Sequence, residues 1–525
     1  MRTLPCTLLS WLALAAALPA QATQMVSVDQ AGGPSNGLSE DTDVSSNGRF
    51  VVFESLASDL VPGDTNGVRD IFLRDMLTGV TTRVSVSSLG FQANGNSWNP
   101  SITDDGQTVV FGSDATNLVP VDTNGQRDIF LKDMQSGQLF RMNPSWDGNQ
   151  ANQFSGFPHI SGNGHFVVFF SLATNLVRND LNGVEGDIFL FNRIFNGIEL
   201  VSQNDSGVQG NLASANPFIS QDGRYVVFSS VATNLVNGDT NGQQDVFVRD
   251  RTLKTTRRAS VGTGGFQANG SSVIGHVSDD GRFVAFCSSA TNLVSGDTNG
   301  VRDIFHHDFL TGSTVRVNSN ASGFSNLGDL SADGLKVLFS EQNSGSPREA
   351  WLVDIGSGTL TLVSSSMSGG NANGASHVGR LTPDAKFSVF FSSSNELTPN
   401  DTNNSTDVFL HDNTAAQVNT ITLSGPTAIN TGSRFTYSWT NAPAFSTWTL
   451  YASGKKNGAT IQGHPFDIGP KLKKLGSGTN NSAGSGSWLS PKIASKLSGR
   501  IFFLEVGAFQ NGQVFDSNFL KVQIL

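Results

Sequence analysis

Apolar residues in this chain come in short, nearly continuous runs separated by polar turns, and no stretch of useful length repeats at helical spacing. VVFGS follows the turn Asp104-Asp105-Gly106-Gln107, DIFLKD follows a long polar loop, and TTRVSVS follows the tight turn Asp75-Met-Leu-Thr-Gly79. Together with a leading strand such as NPSIT, these runs predict a unit of four short strands. The glycines of its turns suit positions that need positive φ. Runs apolar at nearly every position predict strands buried on both faces, between neighbouring sheets.

The unit recurs. Asp64, Asp122, Asp180, Asp239 and Asp297 stand in nearly identical passages, spaced by 58, 58, 59 and 58 residues. GRFVVFESLASDLVPGDTNGVRDIFLRD opens the series and GRFVAFCSSATNLVSGDTNGVRDIFHHD is its fifth copy. A sixth, GLKVLFSEQNSGSPREAWLVD, is shortened and lacks the acidic loop; a seventh, AKFSVFFSSSNELTPNDTNNSTDVFLHD, keeps it. Four-stranded units that cannot hide both faces alone imply a propeller or a solenoid. The ends decide between them. TQMVSVDQAGGPSNGLS at 23–39 matches TTRVSVSSLGFQANGNS at 81–97, so the chain opens on an orphan fourth strand, and the seventh copy stops after its third. Such a strand completes the last sheet and removes its exposed edge. The expected architecture is all-β: a seven-bladed propeller over 23–417, closed by its N-terminal strand.

The copies resemble the TolB-type, WD-like propeller repeat, in which a Pro-Asp-Gly-like turn precedes an apolar strand and an Asp-Ile-Tyr-like strand follows. Here those are Asp105-Gly106 before VVF, and Asp128-Ile129-Phe130. The resemblance spans roughly 25–415 and implies the fold; such propellers serve many purposes. The chain departs from that repeat in its longer second loop and in lacking TolB's N-terminal domain.

Composition supports the all-β expectation: 57 Gly and 37 Phe against 3 Tyr fit tight turns and an aromatic core. Arg2, the apolar run Leu8–Leu18 and Ala20-Gln21-Ala22 form a signal-peptide pattern, so 1–22 is expected to be removed and the protein secreted or periplasmic. No run is long enough to span a bilayer as a helix. Of two cysteines only Cys287 would remain, in an apolar strand, as a core residue. From 420 onward about 10 Lys/Arg face about 3 Asp/Glu, whereas the preceding body holds about 22 against 40. An acidic body makes nucleic acid an improbable partner. Alternating segments such as SRFTYSWT and RIFFLEVGAF predict a small immunoglobulin- or fibronectin-like β-sandwich over 418–525.

Candidate chemistry lies in two places. Six loops repeat an oxygen-bearing trio: Asp64/Asn66/Asp70, Asp122/Asn124/Asp128, Asp180/Asn182/Asp187, Asp239/Asn241/Asp245, Asp297/Asn299/Asp303 and Asp401/Asn403/Asp407. Crowded hard oxygens suit Ca²⁺; Asx turns would use the same residues without metal. This loop and the Gly/Asn-rich inter-blade loops should share one face, the expected binding surface. The innermost strands offer a second ring, Asp43, Ser101, His159, Phe218, His276, Asp329 and Arg380, which is either a channel pocket or variation at a tolerant position. Catalytic patterns are poor. Gly33-Pro-Ser35-Asn-Gly37 reads as G-x-S-x-G but lies in an inter-blade loop without a nucleophile elbow. His306-His307 should be exposed at a strand end, and no His/Cys cluster has zinc spacing. Two functions are expected: a non-enzymatic scaffold binding protein or glycan at the cell surface, or a polysaccharide hydrolase or lyase whose first acid candidates are Asp43 and Asp329.

Overall fold

A computed structural model describes residues 22–414 except 319–322, 343–344 and 368; beyond 414 it describes only the backbone of short strands. Seven four-stranded antiparallel sheets follow one another along the chain. The first uses Ser39–Val44, Phe50–Ser55, Asp70–Asp75 and Val80–Arg83, from the inside outward. The seventh uses Ser376–Leu381, Phe387–Ser392 and Asp407–Asp412, and takes Thr23–Met25 as its outer strand. Thr23 pairs with His411 and Met25 with Phe409, as the orphan-strand argument requires. The ring is closed.

Burial explains why these runs pair face to face. One apolar cluster joins Val52, Ile71 and Leu73 of blade 1 to Ile102, Val109 and Phe111 of blade 2. Another joins Val51, Phe53 and Phe72 of blade 1 to Val389, Val408 and Leu410 of blade 7, with Val26 from the closing segment. Stacked pairs such as Phe53–Phe72 and Phe228–Phe247, with centroids 5.9 Å apart, cross the second and third strands. Each such ring is fully buried, which stabilises by roughly 1.5–3 kcal/mol. Gly106 shows why the first turn keeps glycine: its φ is 72°, and a Cβ there would lie 2.2 Å from the Phe50 ring of the preceding blade.

On the side opposite the long loops, the first turns of successive blades are linked. Ser46 N donates to Asp104 O, Asp104 N to Gly162 O and Ala332 N to Pro383 O. Cys287 is a core residue, as expected; it is fully buried, and its thiol is pushed up to about 11 by that burial. His306 and His307 differ from expectation. They are 4% and 3% exposed, because the strand Asp303–Asp308 is covered on both faces: His306 stacks on Phe283, and His307 Nδ1 meets Thr314 Oγ1 at 2.8 Å.

In the C-terminal segment, strands form a three-stranded antiparallel sheet and a six-stranded sheet, with a separate hairpin, Ala459–Ile461 with His464–Phe466. How these sheets face each other, and so the expected sandwich, lies outside the described residues. The expected leader also lies outside them, except for Ala22.

Candidate functional site

Every innermost strand contains a register shift, as between Trp98 and Ser101. In the first five blades the third residue of that strand has positive φ: Asp41, Asn99, Phe157, Asn216 and Ile274, at 32° to 53°. For a β-branched or bulky side chain such as Ile274 or Phe157 this conformation is strained, and such strain concentrates at sites of function. All five residues line a cavity of about 260 Å³ in the channel, on the half nearer the long loops.

The seven ring positions divide into two groups. Three stitch blades together. The Asp43 carboxylate accepts Val44 N at 2.8 Å and Ile102 N at 3.0 Å, Asp329 accepts Leu330 N and Leu381 N at 2.8 and 2.9 Å, and Ser101 Oγ accepts Ile160 N at 3.3 Å. The other four line the cavity. His159 and Phe218 lie with ring centroids 4.3 Å apart, and Phe218 and His276 4.1 Å apart. His276 Nδ1 is 2.8 Å from Asp329 Oδ1, and Arg380 Nη1 is 3.0 Å from His276 Nε2 and 3.1 Å from Gly328 O. With Asp329 ionised, the fitting tautomer donates Nδ1–H to Asp329 and accepts Arg380 N–H at Nε2.

Electrostatics agree with that assignment. Burial and then Arg380 hold His276 below its ordinary value, and the same two causes lower His159 further. Burial opposes the charge on Asp329, but the His276 hydrogen bond, together with Arg380 and the Leu381 N–H, keeps its carboxyl below the usual range. Arg380 is therefore aimed by an Asp329–His276 relay, and among the described residues lining the cavity it is the only Lys or Arg. Its guanidinium lies 5.3 Å from the Phe218 ring centre, and the Nδ1 atom of His159 is buried with no hydrogen-bond partner.

Beside the cavity is a cluster that sequence reasoning missed. Asp41 accepts from Asn99 Nδ2 at 2.9 Å, Glu54 Oε2 accepts Asn99 N at 2.9 Å, and Arg69 pairs with Glu54 while lying over Trp98. Burial, aided by the Asp41 charge, pushes Glu54 up to about 7. No local sequence signal marks this group, because its members come from two blades.

The six trios are placed alike. Asn66 Nδ2 reaches Asp70 Oδ2 at 2.8 Å and Ala93 O of the inter-blade loop at 3.0 Å, so both loop types do share a face. The charge between the carboxylates is where the structure adds most. Arg83 Nη1 lies 3.0 Å from Asp64 Oδ1 and 3.2 Å from Asp70 Oδ2. Arg258 repeats this with Asp239 and Asp245 at 2.9 and 3.2 Å, and Arg316 with Asp297 and Asp303 at 3.2 and 3.4 Å. Arg141 is looser, at 3.9 and 3.4 Å from Asp122 and Asp128. In blade 3 Leu200 stands at the arginine position, and Gln209 Nε2 donates to Asp180, Asn182 and Asp187 instead.

The asparagines of these loops bond within the loops themselves. Asn124 Nδ2 lies 3.2 Å from both carboxylate oxygens of Asp128, Asn241 Nδ2 is 2.8 Å from Asp245 Oδ2, and Asn299 Nδ2 is 2.9 Å from Asp303 Oδ2. Each turns an amide N–H, and not its oxygen, towards the acid. The oxygens are already engaged: Oδ1 of Asn124, Asn241 and Asn299 accepts the backbone N–H of Gln126, Gln243 and Val301. This is the Asx turn, which needs no metal. In each of these three blades an arginine guanidinium also lies beside the two acids and supplies a positive charge there.

Blade 6 lacks the trio but keeps one acid. Glu349 takes the Asp70 position, accepts Ser364 Oγ, and is pushed up to about 7 by burial. Its unfolded value is near 4.5. Between those values the native state holds a proton that the unfolded chain has released, so stability is full below the unfolded value and falls as pH rises through about 7. Urea unfolding is expected to show a lower midpoint at about pH 8 than at about pH 5, and Glu349→Gln should flatten part of that slope. A slope unchanged in the variant would remove Glu349 as a source.

No protein-family model matches the chain, and no curated protein matches it. Solved structures similar to it include an oligogalacturonate lyase in complex with manganese: 12% identity, TM-score 0.45, covering 73% of this chain and 94% of that one. The β-propeller domain of the Trilobed protease from Pyrococcus furiosus gives 10% identity and a TM-score of 0.46, over 72% and 96% of the two chains. TolB from Acinetobacter baumannii gives 16% and 0.31, over 73% and 66%. Likeness at this level says nothing about activity, and the seven-bladed assignment stands on the strand pairing above.

Proposed function

We propose that this protein is an exported, non-enzymatic binding propeller whose central cavity takes an acidic glycan. The observation that carries the reading is the orientation of Arg380, the only Lys or Arg among the described lining residues, by a buried Asp329–His276 relay. A guanidinium held in this way is suited to a sugar carboxylate. The unpartnered His159 Nδ1 and the side chains of Asn99 and Asn216 supply further polar contacts, and Phe157, 48% exposed, offers a ring face at the rim. Few polar groups converging in an aromatic-lined cavity is the usual form of a small-ligand site.

Export is supported by the leader pattern, and among the described residues no helix is long and apolar enough to cross a membrane. The rival reading, polysaccharide cleavage, would have Asp43 and Asp329 act as acids. Each already accepts two backbone N–H groups, one from its own strand and one across a blade junction, which favours stitching over proton transfer.

The test is a glycan array run beside a reducing-end release assay. Binding is expected to be confined to uronate- or other carboxylate-bearing glycans, to weaken at least about 10-fold in Arg380→Gln, and to occur without turnover. Preference for neutral glycans, or turnover abolished by Asp329→Asn, would overturn the proposal.

A further inference from the structure

We propose that the seam closing the ring carries one Ca²⁺ site, built on Asp401 and Asp407, which fastens the N-terminal segment to blade 7. The other five trios each have a compensating side chain: an arginine at one shared position in four blades and Gln209, at a second position, in blade 3. The seam has neither. Met25 pairs with Phe409 as Arg83 pairs with Phe72, so methionine stands where the guanidinium would be. Pro34 bridges Val28 as Gln92 bridges Val86, so the amide is replaced too.

What remains, among the described residues, is a pair of carboxylates with no cation between them. Asp401 is 6% exposed, and its Oδ2 is buried without a hydrogen-bond partner. Asp407 is fully buried; it accepts Ser27 Oγ at 2.6 Å and Asn403 Nδ2 at 2.8 Å. A divalent ion would supply, in place of the missing arginine, the counter-charge that these two buried carboxylates lack. Asn403 forms the same turn as its counterparts in the other blades, with Oδ1 accepting Ser405 N at 2.9 Å and Nδ2 donating to Asp407, so the ion would be held by the carboxylates, first of all by the unpartnered Oδ2 of Asp401. Two carboxylates with neutral oxygens in an irregular turn suit Ca²⁺ better than Mg²⁺, which demands near-octahedral ligands. So few charged ligands point to weak affinity, in the roughly 10⁻⁴–10⁻³ M range of extracellular modules. Because Ser27 binds Asp407 directly, the ion would hold the closing strand and the last blade as one unit.

The experiment compares thermal unfolding of the full mature chain in EDTA, in millimolar CaCl₂ and in millimolar MgCl₂. Wild type is expected to gain about 1–3 °C with Ca²⁺ and less with Mg²⁺. Met25→Arg should be as stable in EDTA as calcium-loaded wild type and should lose the response, since it restores the guanidinium of the other blades. If that variant does not fold, the near-isosteric Asp401→Asn must lose the response instead. A wild-type midpoint indifferent to Ca²⁺, or a full shift retained in either variant, overturns the proposal; the second result would place the ion in another loop.

Discussion

Arg258→Met is expected to destabilise the propeller by about 3–5 kcal/mol, the usual consequence of removing one partner from a buried ion pair. The side chains of Asp239 and Asp245 are 4% and 0% exposed, and among the described residues Arg258 Nη1 is the one cation within 3.2 Å of both. Without it, two carboxylates face each other in a dry turn, held only by neutral donors such as Asn241 Nδ2 and Ser260 Oγ. Arg258→Lys should recover part of the loss, because an ammonium keeps the charge but its stem does not place it where Nη1 meets Asp239, Asp245 and Gln267 together. Urea unfolding of the three proteins measures this. A loss under about 1 kcal/mol, the range of surface pairs, would make the guanidinium incidental.

Removing residues 23–37 is expected to have a larger effect. The strand Thr23–Met25 and the segment after it contribute the outer ladder of blade 7, the Val26 N to Val408 O bond at 2.7 Å and both Ser27 contacts. Val26 is fully buried, a loss of roughly 1.5–3 kcal/mol, and each lost hydrogen bond removes on the order of 1 kcal/mol. The truncated chain would also expose the edge of Asp407–Asp412 as a template for another chain. Size-exclusion chromatography should show self-association, and a synthetic peptide spanning 22–38 should restore monomer by strand addition. A truncated protein that stays monomeric with an unchanged unfolding midpoint would mean that closure contributes little.

Much of this was legible in the chain. The period, the orphan strand and the shared loop face came from local patterning, and the pairing of Met25 with Phe409 bears them out. The arginines were legible but were passed over: Arg83, Arg141, Arg258 and Arg316 each follow the first aspartate of their trio by 19 residues. A constant offset to a basic residue, broken at Leu200 and Met25, was the available signal. Which way Asn124 and Asn299 turn their amides was not legible, because oxygen and nitrogen ends sit on the same side chain and the neighbouring charge selects between them. The burial of His306 and His307 was not legible either. Nor was the cluster of Asp41, Glu54 and Arg69, or the relay that joins Asp329 in blade 6, His276 in blade 5 and Arg380 in blade 7.

The residue order alone determined the number of blades, the strand that shuts the ring and the residues facing inward, because alternation and turn chemistry act over a few neighbouring positions. Tertiary structure alone decided which charges meet, which acids are left uncompensated and where the channel narrows to a cavity. Those depend on distances between side chains some 20 to 370 positions apart, and an electrostatic interaction is set by separation and burial in space, whatever the distance along the chain.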